Sequence, residues 1–170
     1  STTSKDITIA VTDVDEFNPT LSDGDATTNT IAENATAGTT VGITALGTDA
    51  DHGTSIAYDF TSNPSDLFAI HATTGVITLN GALDYEAAQS HTVKVRATST
   101  DSNGDTSTTS KDITIAVTDV DDNTLSLADS NSATNTIAEN ATAGDGVGVT
   151  ALGTDADHGT SIAYDFTSNP

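Results

Sequence analysis

The chain repeats itself: the stretch STTSKDITIAVTDVD at residue 1 returns unchanged at residue 107. Residues 1–64 align with residues 107–170 at a constant offset of 106, and 51 of the 64 aligned pairs are identical. A fixed offset marks a tandem array, and a period of this length suits a repeat that buries its own core. The repeat pattern predicts that the chain has three parts. Residues 1–18 end a preceding repeat with a strand and linker, residues 19–124 form one complete repeat, and residues 125–170 begin the next.

Apolar and polar residues alternate along short stretches that are separated by turn residues. Within the complete repeat these stretches lie at 30–32, 41–45, 56–60, 68–70, 77–79, 93–97 and 113–117, and an eighth lies at 7–11. A period of two residues indicates strands. Seven short strands with polar turns predict an all-β fold, a Greek-key seven-stranded β-sandwich of the immunoglobulin-like kind. The apolar faces are narrow, so we expect stability to depend on something beyond burial.

The charge balance excludes several classes of partner. Lys and Arg total 4 against 25 Asp and Glu, which gives a net charge of −21. Such a charge argues against nucleic acid and anionic membrane surfaces, and it favours cations. No stretch approaches the ~20 apolar residues of a membrane span, so we expect no membrane insertion. There is also no nucleophile–base arrangement and no phosphate loop.

Carboxylates gather at the ends of the predicted strands, in the segments AEN, TDADHG, LDYE and TDVDDN. Residues i and i+2 of an extended segment point the same way, so each acidic pair presents two carboxylates on one side. Two unit charges about 4 Å apart repel by about 4 kcal/mol at an effective dielectric of 20. A calcium ion, which takes 6–8 oxygen ligands, would remove that repulsion, whereas zinc and copper prefer Cys and His. The alternative is that acidic turns keep a Thr-rich surface soluble.

Paired carboxylates are also typical of glycosidases. The sequence contains no Trp and only three Tyr, so it offers no aromatic-lined cleft for a sugar. We therefore expect a protein that is not an enzyme.

In this order, the acidic segments resemble the cadherin repeat. The matching text is AEN, AGTT, TDAD, FAIHATTGVITL, LDYE, VKVRA and ITIAVTDVDDN, which covers nearly all of the complete repeat. The near-identical repeats look like the cadherin-like arrays of very large bacterial surface adhesins. The resemblance implies a cadherin-like sandwich in tandem array, with Ca²⁺ between consecutive repeats.

The resemblance also implies two sets of calcium ligands, named by their end of the complete repeat. The lower set is Glu33, Asp84, Glu86, Asp119, Asp121, Asp122, Asp155 and Asp157. The upper set is Asp13, Asp15, Glu16, Asp49 and Asp51. Where the family has a further Asp after the sixth strand, this chain has Ser99, and Asp101 is the alternative ligand. We therefore do not assume three ions per junction. The Asn-Ala-Thr sequence at Asn34 matches a glycosylation acceptor, but the Glu-Asn motif already explains it.

These observations predict a calcium-rigidified structural extender of an extracellular adhesin or surface filament. It would sit at the cell surface, attach a bacterium to a biofilm or matrix, and act by mechanical reach. The alternative is a carbohydrate-binding or homophilic module, with polysaccharide or a second copy as partner. The expected partners are neighbouring repeats of the same protein. We expect the incomplete repeats at both ends to be completed by a continuing chain or by a head-to-tail filament, or else to reflect an arbitrary boundary.

Overall fold

A computed structural model describes residues 1–12, 14–51 and 53–168, which form two compact units, Ser1–Thr118 and Asp119–Pro170. No helix in these described ranges has the length and apolar character needed to cross a membrane.

The first unit is a β-sandwich, as the sequence predicted. Its strands, in chain order, are β1 (Thr20–Asp23), β2 (Thr30–Ala32), β3 (Thr40–Thr48), β4 (Ser55–Ser62), β5 (Phe68–Ile70), β6 (Val76–Leu79), β7 (Ser90–Thr100) and β8 (Thr106–Thr118). One sheet has the order β1-β3-β6-β5 and the other β2-β8-β7-β4. All pairings are antiparallel except that of β2 with β8, which is parallel. A 3₁₀ turn at Pro64–Asp66 joins β4 to β5.

The core lies between the two sheets and comes from the predicted inward faces. Val41 and Ile77 of one sheet and Val93, Val95 and Ile115 of the other are fully buried. Most of these side chains are small and β-branched, which suits a pleated surface but buries little area per residue. The narrow core is consistent with the expectation that burial alone leaves this unit modestly stable.

Strand β3 contains a bulge where it pairs with β6. The register between β3 and β6 shifts between Thr40 and Thr44, and Gly42 in this stretch has φ of +72°. A Cβ atom at Gly42 would lie 2.3 Å from the Thr28 carbonyl oxygen. Only glycine fits here, because both the positive φ and the close backbone approach exclude a side chain.

Two features of the first unit differ from the sequence prediction. Strand β1 was not predicted, because the segment TLSD is too short to show alternation. The stretch at 7–11, predicted as the last strand of a preceding repeat, has no strand assigned in this chain, and Ile7, Ile9 and Val11 are exposed. The identical residues 113–117 form a strand because β7 and β2 pair with them. No described strand pairs with 7–11, so its alternation has no sheet to join.

Over residues 119–168 the second unit contains one pair of strands, β9 (Ser126–Asp129) and β10 (Ala151–Thr154), which are antiparallel. Its segment 161–168 repeats the sequence of 55–62 but forms no strand. Tyr164 and Phe166 are 54% and 88% exposed, whereas Tyr58 at the matching position of the first unit is buried. Strand β4 pairs with β7 in the first unit, and the described part of the second unit has no strand corresponding to β7.

Candidate metal centres

The upper set of predicted ligands lies where β3 ends and the linker passes. We call Asp15, Glu16, Asp49 and Asp51 the upper cluster; Asp13 lies outside the described residues. Asp49 follows β3 directly, and its Oδ1 accepts a hydrogen bond from the Asp51 backbone N–H at 3.0 Å. This side-chain turn bends the chain immediately after the strand. It places the carboxylates of Asp49 and Asp51 at one end of the sandwich.

The linker is held against this loop by backbone contacts. Asp51 Oδ2 accepts a hydrogen bond from the Phe17 N–H at 3.0 Å, and the Ser107 hydroxyl donates to the Phe17 carbonyl oxygen at 3.1 Å. Phe17 therefore joins the linker to β8 and to the loop after β3. These contacts bring Asp15 beside Asp51, as sequence reasoning expected for the upper set. Glu16, between Asp15 and Phe17, is exposed.

The acidic groups of the upper cluster perturb one another. Partial desolvation raises the pKa of Asp15, and the neighbouring carboxylates of Asp51 and Asp49 raise it further. The pKa of Asp49 is lowered, first by the Asp51 backbone N–H and then by the nearby Ser99 hydroxyl. A raised carboxyl pKa beside other carboxylates is the signature of uncompensated negative charge. A cation bound among these carboxylates would offset the electrostatic repulsion between them.

One carboxylate oxygen of the upper cluster is buried and unsatisfied. Asp49 Oδ2 and Ser99 Oγ have no hydrogen-bond partner; the two groups are close, but not in hydrogen-bonding geometry. An unpartnered buried polar atom costs about 1–3 kcal/mol, so natural proteins rarely leave one without a ligand, ion or water. An oxygen-only donor set around this unpartnered atom fits a hard cation.

Asp101, the alternative ligand to Ser99, closes its own hairpin loop. It is buried, and its Oδ1 accepts backbone hydrogen bonds from Asn103 and Asp105, both at 2.8 Å. These bonds hold the turn between β7 and β8. They engage Oδ1, whereas Oδ2 has a longer contact of 3.4 Å with the Asn103 side-chain amide.

At the opposite end of the first unit, Glu33 and Glu86 lie together. Glu33 is 5% exposed, and its Oε2 accepts a hydrogen bond from the Tyr85 N–H at 2.6 Å. Carboxylate oxygens of Glu33 and Glu86 lie within 4.8 Å of each other. Asp84 instead caps the following turn, because its Oδ1 accepts from the Ala87 N–H at 2.9 Å. A buried carboxylate anchored to the LDYE segment explains why Glu33 and Glu86 approach each other across so many residues.

The second unit carries a cluster of its own, which we call the second-unit cluster: Asp119, Asp121, Asp122, Asp155 and Asp157. Its loop repeats the geometry of the upper cluster, because Asp155 Oδ1 accepts from the Asp157 N–H at 3.1 Å. Asp157 is 8% exposed, and carboxylate oxygens of Asp122 and Asp157 lie within 4.8 Å of each other. The structure thus brings together the linker acids and the loop acids that the sequence predicted.

The charges of the second-unit cluster are again unbalanced. The Asp157 carboxylate raises the pKa of Asp121, with smaller contributions in the same direction from Asp155 and Asp119. The pKa of Asp157 is lowered, chiefly by the side-chain amide of Asn123, which donates to its Oδ1 at 2.9 Å. Sequence reasoning did not assign Asn123 a role. The signal was available, since Asn follows the acids of TDVDDN where the upper linker has Phe17.

Comparison with known proteins identifies one family. A family model described as Cadherin domain matches residues 27–118. Protocadherin Fat 4 of Homo sapiens is 46% identical over 93 residues, which are 54% of this chain and 2% of that protein. Protocadherin-19 of Danio rerio is 33% identical over 146 residues, which are 81% of this chain and 13% of that protein. The chain thus spans only a small fraction of these relatives.

Solved structures show the same architecture. Protocadherin Gamma B2 extracellular cadherin domains 1–5 are 25% identical with a TM-score of 0.69, over 87% of this chain and 28% of that one. Mouse Cadherin-23 EC22–24 is 26% identical with a TM-score of 0.66, over 87% of this chain and 46% of that one. The first of these structures comprises consecutive cadherin domains, which agrees with the tandem repetition of this sequence. Cadherin domains are adhesion modules and not enzymes. This chain, with its repeated sequence, its β-sandwich and its acidic strand ends, belongs to the cadherin family.

Proposed function

We propose that this chain is a calcium-braced structural extender of an extracellular adhesin or surface filament. The observation that carries the proposal is the repeated acidic loop. Asp49 with Asp51, and Asp155 with Asp157, form the same side-chain turn in two units, and each turn faces a linker carboxyl with a raised pKa. Carboxylates this close repel one another when no cation is bound, and they supply oxygen ligands when calcium is present.

The donor set selects calcium among the common divalent ions. Every side chain in the upper cluster and in the second-unit cluster offers carboxylate oxygen, and the chain contains no Cys. Calcium accepts many oxygen ligands in irregular geometry, whereas magnesium demands a near-octahedral site. Asp15, Glu16, Asp49 and Asp51 would hold the ion in the first unit, and Asp13 joins them in the cadherin pattern. Bound calcium would supply positive charge that cancels the repulsion among these carboxylates.

For the second-unit cluster, the proposed ligands are Asp119, Asp121, Asp122, Asp155 and Asp157. The cadherin pattern adds Glu33, Asp84 and Glu86 to this set, and we include them on that ground. Ligands drawn from a linker and from the loops on either side of it would make the linker stiff when calcium binds. Mechanical reach in a tandem array follows from that stiffness.

We also propose the kind of protein to which this array belongs. Near-identity between repeats, 51 of 64 aligned positions, favours a long array in a large surface adhesin of the bacterial kind. The relatives named above are animal proteins, so this setting rests on the repetition alone. The alternative, a module that binds polysaccharide or a second copy, would be favoured by aromatic side chains on one flank. The first unit has few, and Tyr58 and Phe68 are in its core.

Calorimetric calcium titration of single-site variants tests the proposal. Asp51→Asn should weaken binding at the upper cluster, and Asp157→Asn should weaken binding at the second-unit cluster. The matched control is Asp112→Asn, because Asp112 lies on an exposed sheet face and pairs only loosely with Lys94 at 3.5 Å. If all three variants bind calcium as the parent chain does, the assigned ligands are wrong.

A further inference from the structure

The sequence contains two Asn-Gly pairs, Asn80-Gly81 and Asn103-Gly104, in different surroundings. An Asn-Gly pair can rearrange without an enzyme, because glycine leaves the following backbone nitrogen open to approach. We propose that Asn103 is a site of spontaneous deamidation and that Asn80, with the same neighbour, is protected by the fold. The inference does not depend on the proposed function.

The chemistry is an attack within the chain. The backbone nitrogen of the glycine attacks the Asn side-chain carbonyl carbon Cγ. A bond forms between that nitrogen and Cγ, the bond from Cγ to Nδ2 breaks, and ammonia leaves with the displaced proton. Water then opens the five-membered succinimide at either carbonyl, which yields aspartate or isoaspartate. No oxidant or reductant is needed, and water is the only other reactant.

Asn80-Gly81 is clamped by a neighbouring segment. The backbone N–H groups of Asn80 and Gly81 both donate to the Leu67 carbonyl oxygen, at 2.7 and 3.1 Å. The Asn80 side-chain amide donates to the Asp66 carbonyl oxygen at 2.9 Å. A Cβ atom at Gly81 would lie 2.9 Å from Leu67 Cδ2, so the glycine is also tightly packed. The attacking nitrogen and the leaving amide are therefore both held away from the reactive arrangement.

Asn103-Gly104 lies at the tip of the hairpin between β7 and β8, and both residues are exposed. The Gly104 N–H makes only a long bond, 3.3 Å, to the Asp101 carbonyl oxygen of the same loop. A Cβ atom at Gly104 would meet nothing within 4 Å, so the backbone here has room to rotate. The Asn103 backbone N–H donates to Asp101 Oδ1 at 2.8 Å, and its side-chain amide donates to Asp101 Oδ2 at 3.4 Å. The contrast between the two pairs therefore rests on the glycine, which packs against Leu67 at Gly81 and has open space at Gly104.

Deamidation at Asn103 would add a negative charge at the end of the sandwich that carries the upper cluster. The hairpin loop already contains Asp101 and Asp105, and it adjoins the loop after β3. A Cβ atom at Gly53 would lie 3.4 Å from Ser102 Cβ. An isoaspartate would also lengthen the backbone inside the turn that Asp101 holds. The modification would thus change both the charge and the geometry of this end as the protein ages.

The test is to incubate the full chain at mildly alkaline pH and 37 °C, and to follow each Asn-Gly peptide by mass and by ion-exchange charge. Isoaspartate is detected by methylation with an isoaspartyl methyltransferase. We expect Asn103 to convert at least about fivefold faster than Asn80, the ratio that corresponds to about 1 kcal/mol. In denaturant the two rates should converge, because the clamp on Asn80 is lost.

Two variants make the assignment specific. Asn103→Gln should abolish most of the charge gain of the folded chain, because glutamine cyclises far more slowly, while Asn80→Gln should leave the charge gain in place. Conversion of Asn80 as fast as Asn103 in the folded chain would overturn the proposal. So would a charge gain that persists undiminished in Asn103→Gln.

Discussion

Tyr58 closes the base of the loop that carries Asp49 and Asp51. It lies in β4, and its hydroxyl accepts a hydrogen bond from the Gly47 N–H of β3 at 2.8 Å. The bond links the two sheets directly below the acidic loop. We predict that Tyr58→Phe destabilises the first unit and loosens the upper cluster.

The magnitude follows from burial. Tyr58 is 7% exposed, so removing its hydroxyl leaves the Gly47 N–H without a partner in a place that water reaches poorly. A buried donor left unsatisfied costs about 1–3 kcal/mol. For a domain of this size, each kcal/mol lowers the melting temperature by about 4 °C or somewhat more. We therefore expect a loss of about 4–12 °C for the first unit, together with faster amide hydrogen exchange at Gly47.

The second unit supplies a matched control. Tyr164 accepts the same hydrogen bond from the Gly153 N–H, also at 2.8 Å, but Tyr164 is 54% exposed. Water can replace the lost hydroxyl there, so Tyr164→Phe should cost no more than about 0.5 kcal/mol. The assay is thermal unfolding by circular dichroism, with hydrogen exchange read at Gly47 and Gly153. Equal losses in the two variants would refute the argument from burial.

Two further predictions concern charge and backbone. Because folding raises the Asp15 pKa, the folded chain holds that proton more tightly than the unfolded chain. Ionised Asp15 therefore costs stability above its folded pKa, and acidification through that pKa recovers it. In chelator at neutral pH, Asp15→Asn should melt higher than the parent chain, with the difference vanishing on acidification; in calcium it should melt lower. A change of the same sign in both buffers would contradict the assignment of Asp15 as a ligand. Gly42→Ala should destabilise by more than the ~1–3 kcal/mol of backbone strain alone, because its Cβ meets the Thr28 carbonyl. Gly38→Ala, where φ is +93° and nothing lies within 4 Å, should cost only the strain term in urea unfolding. Equal costs would show that the close approach at Gly42 is unimportant.

The sequence predicted most of the first unit because its strands alternate cleanly and its acids sit at strand ends. All seven strands predicted for the complete repeat are present, although β8 begins at Thr106, seven residues before the predicted stretch at 113–117. Periodicity could not reveal β1, whose four residues TLSD carry a single large apolar side chain. That strand exists because its backbone pairs with β3, a long-range contact that leaves little trace in local sequence.

One segment occurs twice with the same sequence but forms different structures, so local sequence alone could not predict both copies. ALGTDADHGTSIAYDFTSNP occurs at 45–64 and at 151–170. The first copy ends β3 and forms β4, whereas the described part of the second copy forms only β10. Pairing between β4 and β7, not propensity, decides whether this segment becomes a strand. The same reasoning explains why 7–11 is not a strand although 113–117 is.

The acidic sites were predictable in position but not in detail. The i, i+2 spacing indicated that Asp49 and Asp51 share one side, but not that Asp49 would cap the Asp51 N–H. Nor did it indicate that Asp101 would be engaged by its own loop, or that Asn123 would bind Asp157. These choices depend on which backbone N–H groups the fold leaves without a strand partner. Spacing in the sequence does not contain that information.

The central claim is that divalent metal braces the acidic strand ends of this cadherin chain. The most direct measurement is thermal unfolding of the whole chain in calcium, in magnesium and in chelator at fixed ionic strength. Calcium at about 100 times its dissociation constant should stabilise the folded chain by about 2.7 kcal/mol for each occupied site, with magnesium giving much less. A melting temperature that is the same in calcium and in chelator would contradict the account.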